Sequence, residues 1–156
     1  MNTTIAIIKQ DYPYELLLLA DPSRELIDTY LATSQVAIYQ LDNGDVGGVI
    51  VWQKQTDCQF ELLNLAVAEA FQGQGIASQL IHFLIQQLQA ESPKFKLLVK
   101  TGETSRAAIA TYKKAGFKQV GEINNYFIEH YPEPIYENGQ QLKNQLIFEL
   151  KNNTSI

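Results

Sequence analysis

The segment from Ala68 to Gln89, AEAFQGQGIASQLIHFLIQQLQ, sets two glycines, Gly73 and Gly75, directly before an uninterrupted apolar and amide stretch. Glycine is costly inside a helix but useful where backbone must come close to a ligand. Beyond the glycines, Ile76, Leu80, Leu84 and Leu88 recur at i+4 with Ala77, Ile81 and Ile85 beside them. That spacing predicts an amphipathic helix of about four turns. His82 lies off the stripe and is expected to face solvent. Before the glycines, CQFELLNLAV (Cys58 to Val67) carries apolar residues on both faces, the pattern of a central strand covered on both sides. Cys58 is read as a small core residue beside Phe60.

The rest of the chain fits around this strand, turn and helix. TTIAIIK (Thr3 to Lys9) reads as a first strand, broken by Asp11, Tyr12 and Pro13. YELLLLA is a short helical segment stopped at Asp21-Pro22, where the aspartate is expected to cap a second helix through SRELIDTYLATS. QVAIYQL and VGGVIVWQK flank DNGD, a strong hairpin signal. After Ser92-Pro93, KFKLLVKT alternates as a fifth strand. TSRAAIATYKKAG follows as a helix with Thr104 or Ser105 as its cap and Gly116 as its stop. FKQVGEINNYFIEHY and LKNQLIFEL are read as two long final strands, joined by the loop PEPIYENGQQ. The order is β-α-α-β-β-β-α-β-α-β-β: a mixed α/β sheet with helices on both faces, expected as one domain over residues 1–150 with a frayed tail at 151–156.

At 156 residues the chain is long enough to bury a core without a staple. A net charge of -5 argues against DNA, RNA or an anionic membrane surface as the main partner. Cys58 is the single cysteine, so no internal disulfide forms, which suits a reducing compartment. The start of the chain lacks a basic region, its apolar run is short for a signal peptide, and nothing approaches the ~20 apolar residues of a membrane span. A cytoplasmic protein is expected, with no metal, and a homodimer is left open.

A Gly-rich turn at a helix N-terminus presents unpaired N–H groups and the positive end of the helix dipole, and can bind phosphate without a lysine. Here it fits neither the Walker pattern nor the three-glycine dinucleotide fingerprint. LAVAEAFQGQGIASQLI instead resembles the pyrophosphate-binding segment of the GNAT acetyltransferases, whose pattern Q/R-x-x-G-x-G/A is met by Gln72, Gly75 and Ala77. SRAAIATYKKAGF resembles that family's second signature, with an Ala-Ile, a Tyr and a Gly-Phe in register. The element order is also that family's, so the resemblance covers nearly the whole chain and implies a mostly antiparallel sheet of seven strands.

The resemblance implies acetyl-CoA as co-substrate. N–H groups of Gln72, Gly73, Gln74, Gly75, Ile76 and Ala77 would hold its pyrophosphate, with the Ser78 hydroxyl as a further donor. The fourth strand would splay from the fifth after a bulge, freeing edge groups around Leu65, Ala66 and Val67 for the pantetheine arm and the thioester carbonyl. Tyr112 takes the position of the general acid that protonates the leaving thiolate, or else packs against the sheet. Family members often carry Asn where this chain has Ser105, so the contact of Ser105 with CoA must differ in geometry. Arg106, Lys113 and Lys114 are placed toward the nucleotide 3′-phosphate or are solvated charges. Glu61 is the candidate base for the acceptor amine, with an ion pair to a neighbouring lysine as the competing reading and Glu129 or His130 as alternative bases.

Acceptor pockets in this fold are lined by the loop around the first two helices and by the final hairpin. Those regions supply Asp11, Tyr12, Tyr14, Tyr126, Glu129, His130, Tyr131, Glu133, Tyr136 and Glu137. Acidic and aromatic groups together suit a primary amine on a cationic small molecule or peptide. A non-catalytic acyl-CoA-binding module is the alternative function.

Overall fold

The computed structural model describes residues 4–152; Thr3 and the segment 153–156 of the expected tail lie outside them. Strands β1 (Thr4–Ile8), β2 (Gln35–Gln40), β3 (Val46–Lys54), β4 (Gln59–Val67), β5 (Phe95–Gly102) and β6 (Lys118–Ile123) join β9 (Gln145–Asn152) in a seven-stranded sheet ordered β1-β2-β3-β4-β5-β9-β6. β9 therefore continues two residues into the segment expected as tail. β7 (Tyr136–Glu137) and β8 (Gln140–Gln141) form a separate two-stranded ladder. Helices are α1 (Tyr14–Ala20), α2 (Arg24–Leu31), α3 (Ile76–Glu91), α4 (Arg106–Lys114) and α5 (Tyr126–His130). β4 and β5 pair in parallel, and the other neighbours in the large sheet are antiparallel. Parallel neighbours cannot share a tight hairpin, so the chain crosses over through α3.

Helices cover both faces, as the two-sided apolar pattern of the central strands requires. On one face Leu80, Ile81, Leu84 and Leu88 of α3 pack with Ile50, Trp52, Phe60, Leu62, Leu97 and Phe148 of the sheet. On the other, Leu16 and Leu17 of α1 and Ile27 and Leu31 of α2 pack with Val36, Ile38, Val49 and Val51. His82 faces solvent, as the helical stripe implies. No helix among the described residues is long and apolar enough to cross a membrane.

Where α3 starts, β3 passes directly beneath it at Gly48. A Cβ there would lie 3.0 Å from Ile76 Cγ2, 3.0 Å from Leu80 Cδ1 and 3.3 Å from the Ala66 carbonyl oxygen. Gly48→Ala overpacks this contact and is expected to destabilise the fold by ~1–3 kcal/mol, read as a fall in melting temperature of roughly 3–10 °C. An unchanged melting temperature would mean that α3 can lift from the sheet at no cost.

The structure corrects four local readings. Cys58 is exposed, because β4 begins at Gln59 and Cys58 still belongs to the turn. Asp21 does not cap α2: Ser23 does, its Oγ accepting from the Leu26 N–H at 3.2 Å, while Asp21 closes α1. The stretch read as one long strand to Tyr131 stops at Ile123. Asn125 adopts a left-handed conformation with φ 58° and starts α5. The loop PEPIYENGQQ contains the β7–β8 ladder, closed by Asn138 and Gly139 at φ 55° and 76°.

Candidate active site

The site begins with a fault in the sheet. β3 and β4 pair Val51 with Asn64 but Trp52 with Leu62, which leaves Leu63 as an extra residue. Such a bulge reverses which side chains face which layer. Before it Phe60 and Leu62 point to the α3 face, and after it Leu65 and Val67 do. Asn64 and Ala66 are thereby turned toward α1. β4 and β5 pair over four positions, Gln59 with Lys96 to Leu62 with Val99, and then diverge while β5 continues to pair with β9 up to Gly102.

The divergence bares one edge of β4. Ala68 donates its N–H to the Gly47 carbonyl at 2.9 Å. Antiparallel alternation then aims the peptide groups of Ala66 at β3 and those of Leu65 and Val67 into the gap. Of the three edge residues expected to meet a ligand, Leu65 and Val67 present backbone groups and Ala66 does not. The Val67 carbonyl already accepts from Gln72 Nε2 at 3.0 Å, so the Gln72 side chain ties the turn to the strand.

At the mouth of the gap the chain enters α3 through Gly73 and Gly75, at φ 79° and 84°. Both lie in the left-handed region that favours glycine, so handedness demands them. A Cβ on either would meet nothing within 4 Å, and the space beside them is open. Gly75 is the N-cap of the 16-residue α3 and provides no side-chain cap. Among the described residues no protein group accepts from the N–H groups of residues 73–78. Unpartnered N–H groups at the positive end of a helix dipole are an arrangement complementary to an anion.

A groove of about 520 Å³ runs from this cradle along the bared edge of β4 to α4, lined by Leu65, Val67, Gly73, Gly75, Ala77 and Ser78 on one side and by Ala107, Ala108, Thr111, Tyr112 and Lys114 on the other. Of the three cations considered for the nucleotide phosphate, Lys114 lines it. Gln74 is exposed outside the lining.

Tyr112 is held by the end of its own helix. The Phe117 N–H donates to the Tyr112 carbonyl at 3.0 Å, and Gly116, at φ 105°, donates to the Lys113 carbonyl at 3.1 Å. This pair of bonds is a Schellman C-cap, whose usual hydrophobic contact is here Tyr112 against Phe117, ring centroids 5.6 Å apart. The Tyr and Gly-Phe register of the second motif is thus a capping unit that fixes the tyrosine. Tyr112 is 5% exposed, and burial pushes its phenol well above the usual tyrosine range. Its hydroxyl has no hydrogen-bond partner among the described residues. The packing reading of Tyr112 holds, its ring lying against Phe117 and Phe148, and the residue also lines the groove.

A second hollow, of about 440 Å³, lies on the other side of Tyr112 and shares Leu19, Ala20, Tyr112 and Glu137 with the groove. Glu61 and Lys100 line it and form an ion pair at 3.7 Å, the Glu61 side chain being 18% exposed. The ion-pair reading of Glu61 holds, and the residue also lines the hollow. Ser105 lines this hollow and not the groove. Its Oγ donates to Glu137 Oε1 at 2.5 Å and makes no cap to α4.

Of the acceptor-region residues expected from sequence, Tyr126, Tyr131, Tyr136 and Glu137 line the hollow. Asp11, Tyr12, Glu129, His130 and Glu133 do not, and Tyr14 is engaged elsewhere, donating to Asp28 Oδ1 at 2.6 Å beneath the Arg24 guanidinium. His130 stacks on Tyr126, ring centroids 4.1 Å apart, without lining the hollow itself. The structure adds Asp21, Tyr30 and Gln145 to the lining. Asp21 looked like a cap, and Gln145 lies in an alternating strand, so neither carried a separate signal.

Comparison with known proteins bears on this arrangement. A family model described as an acetyltransferase (GNAT) domain matches residues 32–119. YvbK of Bacillus subtilis (strain 168), named as an uncharacterized N-acetyltransferase, is 34% identical over 137 residues, 87% of this chain and 86% of its own. A GNAT family acetyltransferase from Elizabethkingia anophelis, crystallised with acetyl-CoA bound, superposes with a TM-score of 0.90 at 36% identity, covering 96% of this chain and 98% of the other. A Bacillus subtilis acetyltransferase in complex with CoA superposes with a TM-score of 0.88 at 29% identity, over 96% of this chain and 99% of the other. The fold that carries the splayed strands is therefore shared with these proteins, and the chain belongs to the GNAT family of acetyltransferases.

Proposed function

We propose that the protein moves the acetyl group of acetyl-CoA to a primary amine of a cationic small molecule or peptide by direct attack, with Tyr112 and Glu61 as the catalytic residues. The observation that carries this reading is that the groove and the second hollow meet at Tyr112. A donor lying along β4 brings its thioester to the place where an amine from the other side arrives. The N–H groups of residues 73–78 hold the pyrophosphate, and those of Leu65 and Val67 face the pantetheine arm and the thioester carbonyl, where negative charge develops during attack. As the C–N bond forms and the C–S bond breaks, the Tyr112 hydroxyl gives its proton to the departing sulfur. The proton lost by the amine passes to the Glu61 carboxylate, directly or through one water. Solvent then restores both side chains.

Burial keeps Tyr112 protonated at neutral pH, as a proton donor must be. Burial also makes the phenol a weaker acid, and the same desolvation raises the proton affinity of the thiolate beside it, which offsets that effect. Glu61 is supported over Glu129 and His130 because it lines the hollow and they do not. The carboxylates of Asp21, Glu61 and Glu137 with the rings of Tyr30, Tyr126 and Tyr131 favour a cation over an anion in the hollow. An amine panel with acetyl-CoA, read by thiol release, is expected to rank cationic acceptors about tenfold or more above neutral and acidic ones in kcat/KM. A preference for neutral or acidic amines would sink the cationic reading, and CoA binding without turnover on any amine would leave a binding module.

A further inference from the structure

We propose that Asp21 anchors a second, non-reacting ammonium group of the acceptor, so that the substrates of this site are aliphatic diamines and polyamines; this rests on the reading of the second hollow as the acceptor site. Asp21 follows directly on Leu19 and Ala20, the two α1 residues that line both cavities. Its carboxylate is held by donors from three places in the chain. Oδ1 accepts from the Ser23 N–H at 3.1 Å and from the Tyr131 hydroxyl at 3.1 Å, and Oδ2 accepts from the Tyr30 hydroxyl at 3.4 Å. Tyr30 is itself held, its oxygen accepting from Asn64 Nδ2 at 3.0 Å, and that same Nδ2 also donates to the Leu17 carbonyl at 3.0 Å. The bulge that turns Asn64 toward α1 thus also orients the Asp21 carboxylate.

Every one of those donors is neutral. Among the described residues no lysine, arginine or histidine makes an ion pair with Asp21, whereas Glu61 in the same hollow has Lys100. A half-buried carboxylate with a fixed orientation and no cation of its own is complementary to a cation from outside. An independent feature of the same hollow points the same way. Gln145 is 7% exposed, lines the cavity, and its Oε1 has no hydrogen-bond partner. A buried acceptor of this kind calls for an N–H donor.

The nitrogen that attacks the thioester needs a free lone pair, and a nitrogen held as ammonium on a carboxylate has none. The anchored cation and the nucleophile are therefore different nitrogens of one molecule, joined by a chain that reaches from Asp21 past Leu19 and Ala20 to Tyr112.

The test compares 1,4-diaminobutane with n-butylamine as acceptors for the wild type, Asp21→Asn and Tyr131→Phe. The wild type is expected to favour the diamine in kcat/KM by ~10- to 100-fold, the weight of one charge-assisted contact. In Asp21→Asn that ratio collapses toward one, the loss falling in KM for the diamine. Tyr131→Phe, which keeps the carboxylate and removes one of its donors, loses part of the ratio. Equal rates on both amines in the wild type, or a ratio unchanged in Asp21→Asn, overturns the anchor; the second includes the case in which the substitution merely damages the fold or removes a base, since both amines then suffer alike. An enzyme that ignores both probes and acetylates neutral or acidic amines overturns the parent reading as well, and is told apart by the broader panel.

Discussion

Tyr112→Phe is expected to lower kcat by ~10²- to 10⁴-fold, the range of a lost general acid, while acetyl-CoA affinity measured by calorimetry stays within about threefold. The substitution removes a single oxygen. Because that hydroxyl has no partner among the described residues, its loss leaves no buried group unpaired, and the ring keeps its contacts with Phe117 and Phe148. The melting temperature should therefore move by no more than about 2 °C. This combination separates the two roles of the residue, since a packing defect would change stability and a binding defect would change affinity. Wild-type turnover in the variant would remove Tyr112 from the chemistry and leave it as a core residue.

Gly75→Asp is expected to weaken acetyl-CoA binding by ~100-fold or more, through like-charge repulsion of the pyrophosphate at close range. Its effect on stability should be small. Asp is among the residues that tolerate a positive φ best, and the left-handed conformation costs it roughly 1–2 kcal/mol. A carboxylate at a helix N-terminus returns ~0.3–1 kcal/mol of that through the dipole. The open space where its Cβ would stand means that no clash adds to the cost. Full affinity in Gly75→Asp, measured by calorimetry, would show that the phosphates lie elsewhere.

Much of the site was legible because its parts are backbone devices with local signals. The glycine pair, the i+4 stripe of α3 and the Gly-Phe stop of α4 each follow from what a turn or a helix end requires. The purpose of the glycines is sharper now: their φ values require glycine for handedness, and approach by a ligand is a consequence of the space left beside them. What the sequence did not disclose depends on register and tertiary contact. Leu63 carries no mark of a bulge, since an extra leucine among leucines looks like more strand. Asn64 likewise carries no local signal, although it clamps Leu17 and Tyr30. Asp21 carried a local capping signal, but Ser23 won that position and freed the carboxylate for the hollow. The Asn138-Gly139 pair carried the same signal that located the hairpin at Asn43-Gly44. Its flanking strands are two residues each, too short to show alternation.

The parting of β4 from β5 also bears on the protein's lifetime. Four residue pairs at one end are the whole ladder between β4 and β5, and through it β1–β4 join the β5–β9–β6 group. The donor's pantetheine arm would complete that seam as a surrogate strand, drawing on the backbone of Leu65 and Val67. A ligand that binds the folded chain and not the unfolded one stabilises it in proportion to the logarithm of its concentration. The supply of acetyl-CoA would then govern both the rate of acetylation and the fraction of molecules whose two half-sheets are closed against proteolysis.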